Sequence, residues 1–380
     1  MFLDPLFKMM SEKQASDLFF TAGAPIMVKI TGQTIPVNTQ ILDAATVKRV
    51  AYEAMSEAQV REFEERLELN FSIGVQDIGS FRVNVFRQRG AVAMVIRYIK
   101  QNIPTIDELR LPTVLRDIVM EKRGLVLVCG STGSGKSSTL AAMINHRNEN
   151  RTGHILTIED PIEFIYKHRK SIVNQREVGM DTRSYHEALR NAMREAPDMI
   201  LIGEIRDQET FQHALTYAQT GHLCLSTIHA NNSYYCLNRV INFFPHEARQ
   251  SLLMDLAVSL RAIISQRLVK DKQGRLVPAV EVLINTKHIQ ELIKNGEIDQ
   301  IKEAMEQSLA PGCQTFEQCL HHLYKSGVVT LEEALANADS QTNLSWIIDN
   351  DAKAGEEVQK RVGNERTTAG DDLSSITLNF

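Results

Sequence analysis

The run Gly124-Leu125-Val126-Leu127-Val128-Cys129-Gly130-Ser131-Thr132-Gly133-Ser134-Gly135-Lys136-Ser137-Ser138 decides how this chain folds. Its first six residues are a continuous apolar strand, and the next eight, GSTGSGKS, fit G-x-x-x-x-G-K-[ST] without a mismatch. SSTLAAMINHR then reads as a helix. A strand, a glycine-rich turn and a helix in that order make an anion cradle. Gly130, Gly133 and Gly135 let the backbone wrap a phosphate, and the amides of Ser131, Thr132, Ser134 and Ser138 face it with the positive end of the helix. The spacing takes Lys136 to the β- and γ-phosphates of ATP and gives Ser137 a hydroxyl for Mg²⁺.

Downstream, HILTI (154–158), MILIG (199–203) and HLCLSTI (222–228) are further apolar runs without alternation, separated by helical stretches. Such runs predict a parallel sheet covered on both faces, hence an α/β fold. Residues 251–269, 287–306 and 315–337 have a helical period and predict an all-helical end to this domain. Upstream the pattern differs. Residues 8–20 and 44–67 read as helices, 25–32 as a short alternating run, and 70–76, 79–88 and 91–99 as strands, with Phe81, Val83 and Val85 alternating against Arg82 and Asn84. The expected organisation is an α+β domain over 1–100, a linker over 101–113 (QNIPTIDELRLPT), the P-loop domain over 114–350, and a polar, disordered tail over 351–380.

Composition sets the class. In 380 residues, 43% are hydrophobic and 23% charged, ordinary for a folded soluble protein. The net charge of −5 offers no global field to a polyanion, which argues against a nucleic-acid motor. The run Lys167-His168-Arg169-Lys170 is short enough to be a solvated face. Five cysteines lie apart with no C-x-x-C pair, as expected of a reducing, cytoplasmic compartment, and Cys313, Cys319, His321 and His322 lack zinc-site spacing. The start of the chain has an acidic residue where a secretory signal would be basic, and charged residues interrupt the most apolar stretch, so no direct membrane insertion is expected.

A nucleotide site needs acids opposite the cradle. Glu204 follows MILIG and is the candidate Mg²⁺ or water ligand, whereas Asp198 precedes that strand, about 20 Å away. Glu159, Asp160 and Glu163 follow HILTI at the same carboxyl edge of the sheet, and any of the three suits the activation of water. His222 and His229 bracket the fourth strand and suit sensing of the γ-phosphate from opposite ends. Arg82 and Arg97 lie on strands expected to pair, and guanidinium groups there match a phosphate held by another domain or subunit.

Taken in order, GSTGSGKS, TIEDPIEF, MILIGEIRD and TGHLCLSTIHANNS resemble the motifs of secretion-type hexameric ATPases, specifically the type IV pilus retraction ATPases of the PilT/PilU family. The resemblance covers about 1–345, and it places the Walker A motif, Asp box, atypical Walker B motif and His box at 130–137, 157–164, 199–207 and 220–232. It implies a PAS-like amino-terminal domain, a RecA-like ATPase domain and a homohexameric ring that uses ATP and Mg²⁺. In it Glu163 activates water, Glu204 serves the metal side, and Arg82 and Arg97 contact phosphate. It implies residence on the cytoplasmic side of the inner membrane, reached through a platform protein, and work beside a partner retraction ATPase. The family motif AIRNLIRE corresponds to Lys287-His288-Ile289-Gln290-Glu291-Leu292-Ile293-Lys294, with Gln290 in place of the arginine, which points to the PilU-like branch. Assembly motors of the superfamily carry a four-cysteine zinc motif, which this sequence lacks.

Overall fold

A computed structural model describes residues 2–99 and 102–351 of the chain. Of the tail expected over 351–380, all but Asp351 lies outside the described residues. The first part runs α1 (Asp4–Glu12), β1 (Asp17–Phe20), β2 (Met27–Ile30), β3 (Gln33–Pro36), α2 (Ala44–Glu53), α3 (Glu57–Arg66), β4 (Glu68–Val75), β5 (Gly79–Gln88) and β6 (Ala91–Ile99). Its strands form an antiparallel sheet in the order β3-β2-β1-β6-β5-β4. Along β5, Phe81, Val83 and Val85 point into the core beside Phe7 of α1, Val47 and Val50 of α2 and Phe63 of α3.

Two helix expectations fail here. Residues 8–20 are not one helix: α1 stops at Glu12, Gln14 takes a left-handed φ of 51°, and Asp17–Phe20 becomes the strand that joins β2 to β6. Residues 44–67 are two helices. Ser56 starts the second by accepting from the Gln59 amide while the Gln59 side chain takes the Ser56 amide, a capping box.

The second part runs α4 (Val114–Met120), β7 (Gly124–Cys129), α5 (Lys136–Asn150), β8 (Gly153–Glu159), β9 (Ser171–Glu177), α6 (Tyr185–Ala192), β10 (Met199–Ile202), α7 (Gln208–Gln219), β11 (Leu223–Ile228), α8 (Ser233–Asn242) and α9 (Arg249–Ser259). It continues with β12 (Leu260–Lys270), β13 (Leu276–Ile284), α10 (Lys287–Asn295), α11 (Ile301–Glu306), α12 (Phe316–Lys325) and α13 (Leu331–Asn337). The sheet order is β13-β12-β7-β11-β10-β8-β9, parallel except for β13. Successive residues of β7 serve opposite cores: Leu125, Leu127 and Cys129 face α7, α8 and α9, while Val126 and Val128 face α4 and α5. Ile106 and Leu111 are buried in that second core.

The expected all-helical ending is corrected. Of 251–269, only the part to Ser259 is helical. Leu260–Lys270 is a strand, and it forms an antiparallel hairpin with β13, which the sequence reading missed. β12 lies inside the sheet, so the run from Ala262 to Gln266 is wholly buried and gives no alternation to distinguish it from a helix. The stretch 315–337 likewise breaks into α12 and α13, the latter capped by Thr330. Strand β9 was also unforeseen.

Candidate functional site

The cradle is built by backbone shape. Gly130, Gly133 and Gly135 hold φ of 152°, 79° and 90°, which side-chain-bearing residues rarely adopt. A Cβ at Gly130 would lie 2.5 Å from the Gln266 carbonyl oxygen, and one at Gly135 2.7 Å from Gln266 Nε2. Strand β12 is thus pressed against the underside of the loop, where Gln266 Oε1 also accepts from Thr139 Oγ1 at 2.6 Å. The next residue, Arg267, serves the other side. It donates to the Asn337 carbonyl at 2.6 Å, pairs with Asp339, and sits 4.0 Å from the centre of the Phe316 ring.

Lys136 folds back over the loop, its Nζ donating to the carbonyls of Gly130 at 2.9 Å and Ser131 at 2.8 Å. Burial holds its ammonium below the usual lysine value, against the opposing pull of Glu204 and Glu163. A cavity of about 370 Å³ opens above the loop. It brings together Thr132, Gly133, Lys136 and Ser137 with Glu159, Asp160 and Glu163 after β8, Glu204 after β10 and His229 after β11. These strands are parallel, so their carboxyl ends share one edge of the sheet.

The carboxylates are not equivalent. Glu163 Oε1 accepts from Ser137 Oγ at 2.8 Å. Glu204 is held between His229 Nε2 at 3.1 Å and Arg206 Nη2 at 2.6 Å. Glu159 is turned inward, accepts from Thr157 Oγ1 at 2.6 Å, and is pushed by burial to a pKa of about 7. Hydroxyl and carboxylate oxygens crowd this end of the cavity, a hard donor set suited to Mg²⁺.

Three candidates stand elsewhere in the chain. His222 lies at the amino end of β11, about 20 Å of strand from His229, with its ring against Thr220 Oγ1 and the Tyr217 carbonyl. Arg82 and Arg97 are directly opposed across β5 and β6 but do not line the cavity. Arg97 Nε bonds Asp17 Oδ1 at 2.8 Å, and Arg82 Nη1 lies 3.3 Å from Glu177 Oε1 at the seam between the two sheets. The other oxygen of Glu177 accepts from the Ile162 amide at 3.0 Å, beside Glu163. Glu177, Arg206 and Tyr185 were missed by sequence reasoning. Arg206 sits within MILIGEIRD and was within reach, whereas Glu177 ends the strand that sequence did not reveal. A second cavity of about 360 Å³ adjoins Gly135, Ser138 and Thr139 and is walled by Leu109, Leu268, Arg275 and Leu276.

A lysine-bearing P-loop at the carboxyl edge of a parallel sheet, with acids on the neighbouring strands, defines a P-loop nucleotide hydrolase. The chain belongs to the Type II/IV secretion system protein family, whose model matches residues 1–374, and within it to the PilT/PilU group of type IV pilus ATPases. It is 46% identical to the type IV pilus ATPase PilU of Pseudomonas aeruginosa, over 98% of this chain and 94% of that protein. It is 42% identical to the retraction ATPase PilT of the same organism, over 88% of this chain and 97% of that one. The crystal structure of the pilus retraction motor PilT with bound ADP superposes with a TM-score of 0.83 at 42% identity, covering 90% of this chain and 98% of that chain. The protein is therefore a nucleotide-binding ATPase of pilus motors. No helix among the described residues is long and apolar enough to cross a membrane.

Proposed function

We propose that this chain assembles into a homohexameric motor that couples ATP hydrolysis to type IV pilus retraction, working beside a partner retraction ATPase through an inner-membrane platform protein on the cytoplasmic side. The observation that carries this reading is the end-to-end similarity to PilU together with a complete phosphate cradle facing acidic groups. Gly130–Ser138 would hold the triphosphate, with Lys136 on its β- and γ-phosphates, and the cavity beside Ser138 and Thr139 has room and apolar walls for the base. Ser137 and Glu204 would hold Mg²⁺, which when bound neutralises charge on the phosphates. For Ser137 to serve there it must release Glu163, and that exchange frees the Glu163 carboxylate to orient and deprotonate the attacking water. His229 and Arg206 keep Glu204 aimed into the cavity. Arg82 and Arg97 would come onto the phosphates from the amino-terminal sheet of the same or a neighbouring subunit.

A second reading has support at Gln290, which replaces the family arginine on α10 and spends its side chain on the Asn285 carbonyl and Lys287. It is a nucleotide-gated accessory subunit that loads or stiffens a partner motor with little work of its own. One set of strains separates the two: retraction is measured with this gene alone, the partner motor alone, both, and both with Lys136→Ala in this chain. The motor reading expects Lys136→Ala to abolish hydrolysis by the purified protein and to lower retraction in the double strain. Unimpaired retraction with Glu204→Ala in the same double strain, a change that leaves the Lys136 phosphate contact in place, favours the accessory reading, and wild-type hydrolysis by Lys136→Ala would remove the site assignment.

A further inference from the structure

Helices α6 and α7 lie side by side, and their facing surfaces carry three side chains that the nucleotide site does not use. His186 is the second residue of α6, while Glu209 and His213 are four apart on α7, the spacing that sets two side chains on one helical face. His186 Nδ1 lies 2.5 Å from Glu209 Oε1, and the His186 and His213 rings stand 6.0 Å apart at 64°. One potential ligand atom from each residue falls within 4.8 Å of the other two. Three such atoms around a tetrahedral ion would be about 3.4 Å apart, from metal–ligand distances of about 2.0–2.1 Å. The side chains of His186 and Glu209 are exposed and so have room to rotate toward that spacing.

The chemistry selects the ion. Two imidazoles and one carboxylate with an open fourth position make a donor set that favours zinc among available divalent metals, and it is too nitrogen-rich for Mg²⁺. His213 is well prepared as a ligand. Its ring is half-buried and lies roughly parallel to that of Tyr217, with 6.2 Å between centroids. An ion pair alone accounts for His186 and Glu209, but it does not account for a second imidazole turned toward the same carboxylate.

We infer that His186, Glu209 and His213 form a zinc site on the surface of the ATPase domain, separate from the nucleotide cavity. Glu209 belongs to the first turn of α7, five residues after Glu204, so a bound ion would pin the segment that delivers Glu204 and Arg206 to the cavity.

The test is zinc titration of the full, untagged chain by calorimetry in excess Mg²⁺, with Co²⁺ absorption reporting geometry. One zinc per chain in the micromolar range is expected, with a tetrahedral Co²⁺ spectrum and a zinc-dependent rise in melting temperature. His213→Ala and the exposed His186→Gln should each weaken binding at least about tenfold, while the double change His321→Ala, His322→Ala leaves it unaltered. Far-ultraviolet circular dichroism verifies folding, and His186→Gln serves where His213→Ala does not fold. Absence of zinc binding at 100-fold higher concentrations, or wild-type affinity in His186→Gln, overturns the site.

Discussion

The two sheets present their polar side chains in different ways. In the second sheet, β7, β8, β10 and β11 are parallel, so their following loops converge on one edge and deliver Lys136, Glu163, Glu204 and His229 to a single cavity. The amino-terminal sheet is antiparallel, its neighbouring strands end at opposite edges, and it presents charged side chains from a face, as with Arg82 and Arg97 across β5 and β6. Those arginines are already engaged by Glu177 and Asp17. Topology alone gathers the first set, whereas the second would need a change of partner to take the role proposed for it. Under the proposed function, nucleotide would be bound by one sheet and its use made conditional on the other.

That division is most exposed to a change at Glu163. Glu163→Gln should lower kcat by about 10²–10⁴ while leaving the KM for ATP within a few-fold, measured by phosphate release. A raised KM with kcat unchanged would mean that Glu163 serves binding, and the parallel edge would then lack its base. Glu159 tests what crowding at this edge does to the fold. Its native pKa of about 7 exceeds the ordinary glutamate value of about 4.5, so the folded state holds the extra proton and the wild type loses stability as pH rises from about 4.5 to 7. Glu159→Gln should therefore be more stable than wild type at pH 8, by up to about 3 kcal/mol, with the gain fading below pH 5. Denaturant midpoints at the two pH values decide it. The smallest effect concerns the seam. Glu177→Gln keeps an acceptor for the Ile162 amide but removes the charge holding Arg82, so the KM for ATP should fall about fivefold, the equivalent of about 1 kcal/mol. An unchanged or higher KM would show that Arg82 is not withheld from nucleotide by this contact.

Legibility in the sequence followed the same divide. Motif-bearing strands were readable because a buried parallel strand is a short apolar run bounded by glycine and acid, and each of the four did end at the cavity. The amino-terminal strands β5 and β6 were readable through alternation. What failed was β12, whose burial on both faces erased its period, and β9, a half-exposed edge strand whose polar residues Asn174, Gln175 and Arg176 look like loop. The roles of Glu177 and Gln266 were hidden for that reason. Nor does spacing along one strand reveal direction: His222 and His229 looked symmetric in sequence, yet only the carboxyl end of β11 meets the cavity.

Gln266 and Arg267 are adjacent on β12, so the alternation of a strand turns them to opposite faces, one under the P-loop and the other onto the carboxyl-terminal helices. A strand has almost no slack along its axis, and this one is clamped on both flanks by β7 and β13. The floor of the phosphate cradle and helices α12 and α13 are therefore joined through one strand held on both sides. Among the described residues, no such strand crosses the seam at Arg82 and Glu177, which is held by an ion pair at 3.3 Å, and under the proposed motor reading it is where a stroke would develop.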